Sequence, residues 1–168
     1  MGTKQGIVKK THISEFKNLR KNGLIAISLK DGDELLKVKN TYGDANIIVV
    51  TQNGYAVRFN EQNVRAMGRT ASGVKAINLK DDDIAVCMDI AVDDEELLVI
   101  SENGFGKRTP IKEYKVQNRG GVGLITYKIS EKTGKLVGAT VCKVDDELML
   151  INSSGVAIRI NVSDISVT

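Results

Sequence analysis

The chain has 168 residues, 42% of them hydrophobic and 27% charged, with a formal net charge of +3. That is long enough for one domain with a substantial core and too apolar for a disordered tail. No apolar run approaches the length of a membrane span, the N-terminus lacks a charged-then-apolar signal pattern, and Cys87 and Cys142 have no CxxC spacing that would point to zinc or a disulfide framework. The two thiols read as buried groups of a cytoplasmic protein.

In chain order, residues 1–30 form a half repeat. It opens with Gly6-Ile7-Val8-Lys9-Lys10-Thr11 and closes with Gly23-Leu24-Ile25-Ala26-Ile27-Ser28-Leu29. Residues 31–79 form a full repeat with strands expected over 35–41, 46–51, 55–60 and 74–79 and a loop over 61–72. Its third strand begins Gly54-Tyr55-Ala56-Val57-Arg58-Phe59, and its fourth begins Gly73-Val74-Lys75-Ala76-Ile77.

Residues 80–129 repeat the plan. A strand over 85–92, interrupted by the polar Asp89, leads through the acidic turn Asp93-Asp94-Glu95-Glu96 to Leu97-Leu98-Val99-Ile100. That short apolar run, bounded by turn residues, predicts a strand buried on both faces. Asn103-Gly104 predicts a type I′ hairpin turn into a third strand over 105–109. A long basic loop over 110–121 precedes the fourth strand over 123–129, and such loops leave room for short helical turns. Residues 130–168 are a partial repeat containing Ser154-Gly155-Val156-Ala157-Ile158-Arg159-Ile160.

The repeated glycines Gly6, Gly54, Gly104 and Gly155 are 48, 50 and 51 positions apart. Self-similarity at this period means one supersecondary unit is copied. Four strands per unit suit an all-β, propeller-like array better than a helical solenoid, and so few units leave an open, partial ring as a single domain.

Charge follows the same period. Residues 4–21, 54–75 and 104–128 hold 16 of the 24 basic side chains and 3 of the 21 acidic ones. Segregation of this kind points to a polyanionic partner. A lone lysine or arginine in a loop is ordinarily a solvated charge, so the repeated register carries the argument. The candidates are Lys9, Lys10, Arg20 and Lys21 in the first unit and Arg58, Arg65, Arg69 and Lys75 in the second. Lys107, Arg108, Lys115, Arg119 and Lys128 follow in the third. Side chains that neutralise phosphates bind without reading sequence, and loop glycines let a phosphate approach backbone N–H groups.

The loop Gln117-Asn118-Arg119-Gly120-Gly121-Val122-Gly123 resembles the glutamine-arginine-glycine box of the family of DNA gyrase A C-terminal domains. Val64-Arg65-Ala66-Met67-Gly68-Arg69 resembles that family's second repeated loop. The third-strand motifs at Gly6, Gly54 and Gly104, and Phe16-Lys17-Asn18-Leu19-Arg20 after the first, match in order and spacing. The resemblance covers essentially the whole chain. It departs from the family pattern at Asn118 and Val122, where the full box carries basic residues; degenerate copies of the box occur in later blades.

The resemblance implies a β-pinwheel, a propeller-like ring of six blades that exchange strands, of which about half is present. It also implies that duplex DNA is bent and wrapped around a basic outer rim in the service of negative supercoiling, and it adds Gln117, Gly120 and Gly121 to the DNA-binding candidates. Partners would be the rest of gyrase A and its companion gyrase B, which carry the cleavage chemistry and use ATP and magnesium. No cofactor, small-molecule substrate or membrane is expected for this chain.

Other readings are a topoisomerase IV C-terminal domain, with weaker or no wrapping, and a propeller that serves as a protein-interaction scaffold. The basic loops oppose the scaffold. His12 has no evident catalytic partner, and the acidic clusters around Asp33, Asp82, Asp94 and Asp146 lack the ligand spacing of a calcium loop, so they read as solvated hairpin turns. Tyr42, Tyr55, Tyr114 and Tyr127 read as packing residues, too few for a base-stacking platform.

Overall fold

A computed structural model describes residues 1–19 and 21–168 and is all-β. The strands are β1 (Gly2–Thr3), β2 (Ile7–Val8), β3 (Leu35–Lys37), β4 (Asn46–Thr51), β5 (Tyr55–Asn60), β6 (Val74–Lys75) and β7 (Ala85–Ile90). They continue with β8 (Glu96–Ser101), β9 (Gly106–Pro110), β10 (Leu124–Ile125), β11 (Leu136–Cys142), β12 (Glu147–Ile151) and β13 (Ala157–Asn161). Each third strand, or in the first unit the segment that follows β2, leads to a short 3-10 turn: Ile13–Phe16, Glu61–Asn63, Ile111–Glu113 and Val162–Asp164. His12 caps the first of these, its Nδ1 accepting from the Ser14 N–H at 3.3 Å.

Every hairpin is built on the repeated glycine, though not through a type I′ turn. Gly104 has φ +80° and its N–H donates to Ser101 O at 3.0 Å, while Asn103 is not among the residues at positive φ. Ser101 N–H then donates to Phe105 O at 2.8 Å. The result is a three-residue loop in which only the glycine is left-handed, the arrangement of a type I turn closed by a glycine bulge.

The hydrogen-bonded sheets do not coincide with the sequence repeats. Their orders are β3-β1-β2-β6, β7-β4-β5-β10, β11-β8-β9 and β12-β13. Each four-stranded sheet takes its two central strands from one repeat and its flanking strands from the next, and the three-stranded sheet takes β11 from the next, so neighbouring blades exchange strands. Thus β6 pairs with β2 (Ile7 opposite Lys75), and β10 pairs with β5 (Tyr55 opposite Ile125). Residues 23–29, the counterpart of β6 and β10, form no strand.

Alternating side chains of each central strand enter different cores, as the period of two requires. Ile47 and Val49 pack in the cluster with Val8 and Ile77, whereas Ile48 and Val50 pack with Leu97, Val99 and Ile111. Leu98 joins Cys142 and Val162 in a third cluster. The apolar run at 97–100 is therefore buried on both faces through Val99, with Ile100 half-buried at its end. Both cysteines are free and buried, and burial pushes the Cys87 thiol up to about 12. Tyr114 is buried and Tyr55 and Tyr127 are half-buried, but Tyr42 is fully exposed and packs nothing.

The acidic clusters are not simply solvated. The buried Asp33 accepts from the N–H groups of Gln5 and Glu34, at 2.9 and 2.8 Å, and Asp83 accepts from Asn53 and Ile84, both at 2.9 Å. In this way the carboxylate that opens one repeat caps the hairpin of the repeat before it. Asp89 is also buried and pairs with Lys39 at 2.7 Å.

Glu61 is the most heavily bonded carboxylate. Burial by itself would push its carboxyl up, but donors from Ala45 N–H, Thr41 Oγ1 and Gly43 N–H, with the charge of Lys10, hold it below its ordinary value. A carboxyl held low contributes stability above its unfolded pKa and loses that contribution as pH falls through its folded pKa. Glu61→Gln is therefore expected to cost about 1–3 kcal/mol at pH 7. The cost should shrink once the pH drops below the ordinary carboxylate range of about 4. Urea unfolding of both proteins at the two pH values measures this, and an equal difference at both would refute it.

Candidate nucleic-acid interface

The first strands of successive repeats converge, since β7 packs against both β3 and β11. The exchanged strands β6 and β10 lie at the opposite edge of their sheets. The blades therefore fan outward, and the long loops run along the divergent edge.

Each loop is attached to the blade before it in the same way. Met67 N–H donates to Lys10 O at 2.8 Å, Gln117 N–H to Arg58 O at 2.7 Å and Thr168 N–H to Arg108 O at 2.8 Å. Each contact carries a parallel bridge, Lys10 with Ala66, Arg58 with Val116 and Arg108 with Val167. A second tie recurs as well: Ser28 N–H donates to Ala71 O at 3.3 Å and Asn78 N–H to Gly121 O at 2.8 Å. Equivalent loop positions thus occupy equivalent points on successive blades.

Three of the predicted DNA contacts, Lys9, Arg58 and Arg108, are buried. Arg58 is 5% exposed, and its guanidinium donates to Ile111 O and Tyr114 O, both at 3.2 Å, and pairs with Asp93. Arg108, equally buried, donates to Ile165 O at 2.8 Å and Ser163 O at 3.3 Å and pairs with Glu96. Lys9 is 1% exposed; its Nζ donates to Ala26 O at 2.7 Å and to Arg69 O, and burial holds its pKa below the ordinary lysine value. These side chains spend their donors on neighbouring carbonyls and carboxylates. Lys10 is half-buried and drawn into the same kind of junction, donating to Glu61 O at 2.9 Å. The basic residue of the third strand is thus a staple to the carbonyls of the next repeat's 3-10 turn.

The loop residues lie differently. Lys21, Arg65, Lys75, Lys115 and Lys128 are exposed, and Arg69 and Lys107 are half-buried, burial holding the Lys107 amine below its ordinary value. Arg119 spans two repeats, donating from Nε to Asn63 O at 2.9 Å and from Nη1 to Lys75 O at 3.1 Å. Gln117 is half-buried and held by its backbone. Arg20 lies outside the described residues.

The box glycines divide by role. At Gly123, with φ +86°, an added Cβ would stand 2.4 Å from Ala56 O, so the exchanged strand needs glycine to approach its partner. Gly120 N–H donates to Ala76 O at 2.7 Å from a left-handed position. Gly121 is exposed and has neither a positive φ nor any atom within 4 Å of an added Cβ. Nothing in the packing requires glycine there.

A family profile described as the DNA gyrase C-terminal domain, a β-propeller, matches residues 1–41, 45–86, 95–143 and 146–168. The chain belongs to that family. It is 67% identical over all 168 residues to the DNA gyrase A protein of Clostridium acetobutylicum, and 55% identical over 166 residues to that of Halalkalibacterium halodurans. In each case it spans about a fifth (20%) of the relative's length. Among solved structures, a DNA topoisomerase IV C-terminal domain superposes with a TM-score of 0.93 at 30% identity, over 99% of this chain and 53% of that one. A DNA gyrase A C-terminal domain superposes with a TM-score of 0.89, also at 30% identity, over 99% of this chain and 56% of that one. The strand-exchanged sheets are thus the family fold.

Two exposed loop lysines of this gyrase-type domain escape the sequence pattern, Lys17 and Lys112. Lys17 follows Gly6 by the same interval that separates Arg65 from Gly54 and Lys115 from Gly104. Counting from the hairpin glycine would have found it. Lys112 has no basic counterpart in the other repeats, so only its exposure in the Ile111–Glu113 turn marks it. Among the described residues, no group of three or more His, Cys, Asp or Glu side chains could hold a metal ion, and no helix is long and apolar enough to cross a membrane.

Proposed function

We propose that this chain binds duplex DNA along its divergent edge without reading sequence, bends it around the fan of blades, and so serves a type II topoisomerase that introduces negative supercoils. The carrying observation is that loops bearing Arg65 and Arg69, and Lys115 and Arg119, hang from successive blades by the same hydrogen bonds. Identical attachment supports reading these charges as one curved stripe, which a duplex that neutralises them follows.

Bending a short site costs roughly 1–6 kcal/mol by elastic estimates, which many distributed phosphate contacts with counterion release can offset. Gly121 supports the reading, because an exposed glycine that neither φ nor packing demands leaves its backbone open to close approach. The chain supplies binding and shape. Strand cleavage and ATP use fall to the remainder of gyrase A and to gyrase B.

The test is affinity for a random-sequence linear duplex as a function of salt. A log–log slope corresponding to about five or more neutralised phosphates is expected. Affinity that is absent at low salt, or flat against salt, would sink the reading.

A further inference from the structure

The exchanged strands β6 and β10 form the outer edge of their sheets, and each presents one side chain at the same point. Lys75 stands opposite Ile7 in β2, and Ile125 stands opposite Tyr55 in β5. The residues that follow them, Ala76 and Thr126, turn inward and are 1% and 4% exposed. Lys75 and Ile125 turn outward, and Ile125 is 70% exposed. That exposure belongs to the position itself. Beside Lys75 the loop of the next repeat is in place, with Arg119 Nη1 donating to Lys75 O at 3.1 Å and Gly120 N–H to Ala76 O at 2.7 Å. Lys75 is exposed all the same.

A single exposed isoleucine needs no function. This one occupies the point at which the preceding blade carries a lysine of the basic edge, and in sequence it lies between Gly121 and Lys128, both exposed. Its backbone is pinned on either side. Thr126 N–H donates to Gly54 O at 2.8 Å, the Thr126 hydroxyl bonds the Tyr114 hydroxyl, and Gly123 packs directly on Ala56 O. Isoleucine is stiff at χ1, so little conformational freedom is lost when it meets a surface. A side chain so placed cannot neutralise a phosphate; it offers apolar area alone.

Resting on the reading that duplex DNA follows this edge, we infer that Ile125 packs against the C5-methyl group of thymine in the major groove. It thereby gives an otherwise sequence-blind edge a preference for thymine at one point. Among the bases only thymine shows an apolar group in the major groove, and apolar side chains read it there, whereas phosphates require charge. Lys75 holds the backbone at one blade, and Ile125 reads the groove at the next. Taking one methyl group out of water corresponds to about a threefold change in affinity. Averaged over random sequence the preference disappears, so it decides where along a duplex the chain sits and leaves overall affinity to the charges.

Fluorescence anisotropy with two labelled duplexes of one mixed sequence, one carrying thymidine and the other deoxyuridine throughout, tests this, since the two differ only by the methyl groups. The parent chain is expected to bind the thymidine duplex about threefold more tightly. Ile125→Ser changes an exposed side chain and no charge, so it should keep the parent's thermal unfolding and salt slope but bind the two duplexes equally. Ile125→Lys should also lose the discrimination while steepening the salt slope by about one. Three results would overturn this inference and leave DNA binding itself standing: salt-dependent binding by the parent that is equal on the two duplexes, a preference that Ile125→Ser retains, or a loss on Ile125→Ser that is the same for both. No binding to either duplex at low salt would overturn the underlying reading and this one with it.

Discussion

Arg65→Glu combined with Lys115→Glu is expected to lower affinity for random-sequence duplex DNA about 100-fold while leaving the fold intact. Both side chains are exposed and occupy the same point on successive loops. Each reversal removes a phosphate contact and adds a like charge beside the backbone. About tenfold per position follows, and the salt slope should fall by about two because two fewer counterions are released. Exposed substitutions that break no hydrogen bond usually change stability by no more than about 0.5 kcal/mol. Fluorescence anisotropy on a labelled duplex, with thermal unfolding alongside, measures both quantities. Full affinity in the folded double variant would remove the basic edge from consideration.

Arg58→Ala is expected to do the opposite. Its guanidinium is buried and holds two carbonyls of the Ile111–Glu113 turn region together with Asp93. Removing it leaves the Tyr114 carbonyl without its donor, while Ile111 O keeps the Tyr114 N–H at 3.0 Å, and opens space between blades. Asp93 is exposed and is re-solvated when its partner goes, so the cost is that of the buried carbonyl left unpaired and the lost packing, about 1–3 kcal/mol. Urea unfolding should show a loss of that size. Duplex affinity, measured at a temperature where the variant is folded, should stay within about twofold of the parent, since no charge on the basic edge has changed. A stable variant with impaired binding would place Arg58 on the DNA side after all.

Together the two variants separate charges that look alike in sequence. Arg58 and Arg65 are seven residues apart in one repeat, and both recur as basic residues in the next, at Arg108 and Lys115. Recurrence is equally good evidence for a repeated structural staple and for a repeated ligand contact. Periodicity cannot distinguish them, because both roles are copied with the unit.

Much of the fold was legible because its determinants are local. The hairpin glycines, the apolar runs at 46–51 and 97–100 and the basic loops set the repeat, the strands and the segregation of charge without reference to distant residues. The type I′ expectation at Asn103-Gly104 failed because a dipeptide does not specify loop length; the Ser101–Phe105 contact adds a residue and leaves Asn103 at ordinary φ. The expectation of solvated acidic turns failed at Asp33 and Asp83 because the N–H groups they cap belong to hairpins 28 and 30 residues earlier.

What the sequence by itself determined is the all-β repeat, its glycine-punctuated hairpins and a basic loop in each of the first three units. Only the tertiary structure decided which strands share a sheet and which basic residues remain exposed. Strand exchange places the third strand of one repeat against the loop and fourth strand of the next, so burial of Lys9, Arg58 and Arg108 depends on groups from 17 to 60 residues away. Exposure is a property of that junction, and a charge faces solvent or turns inward according to what the neighbouring blade brings to it.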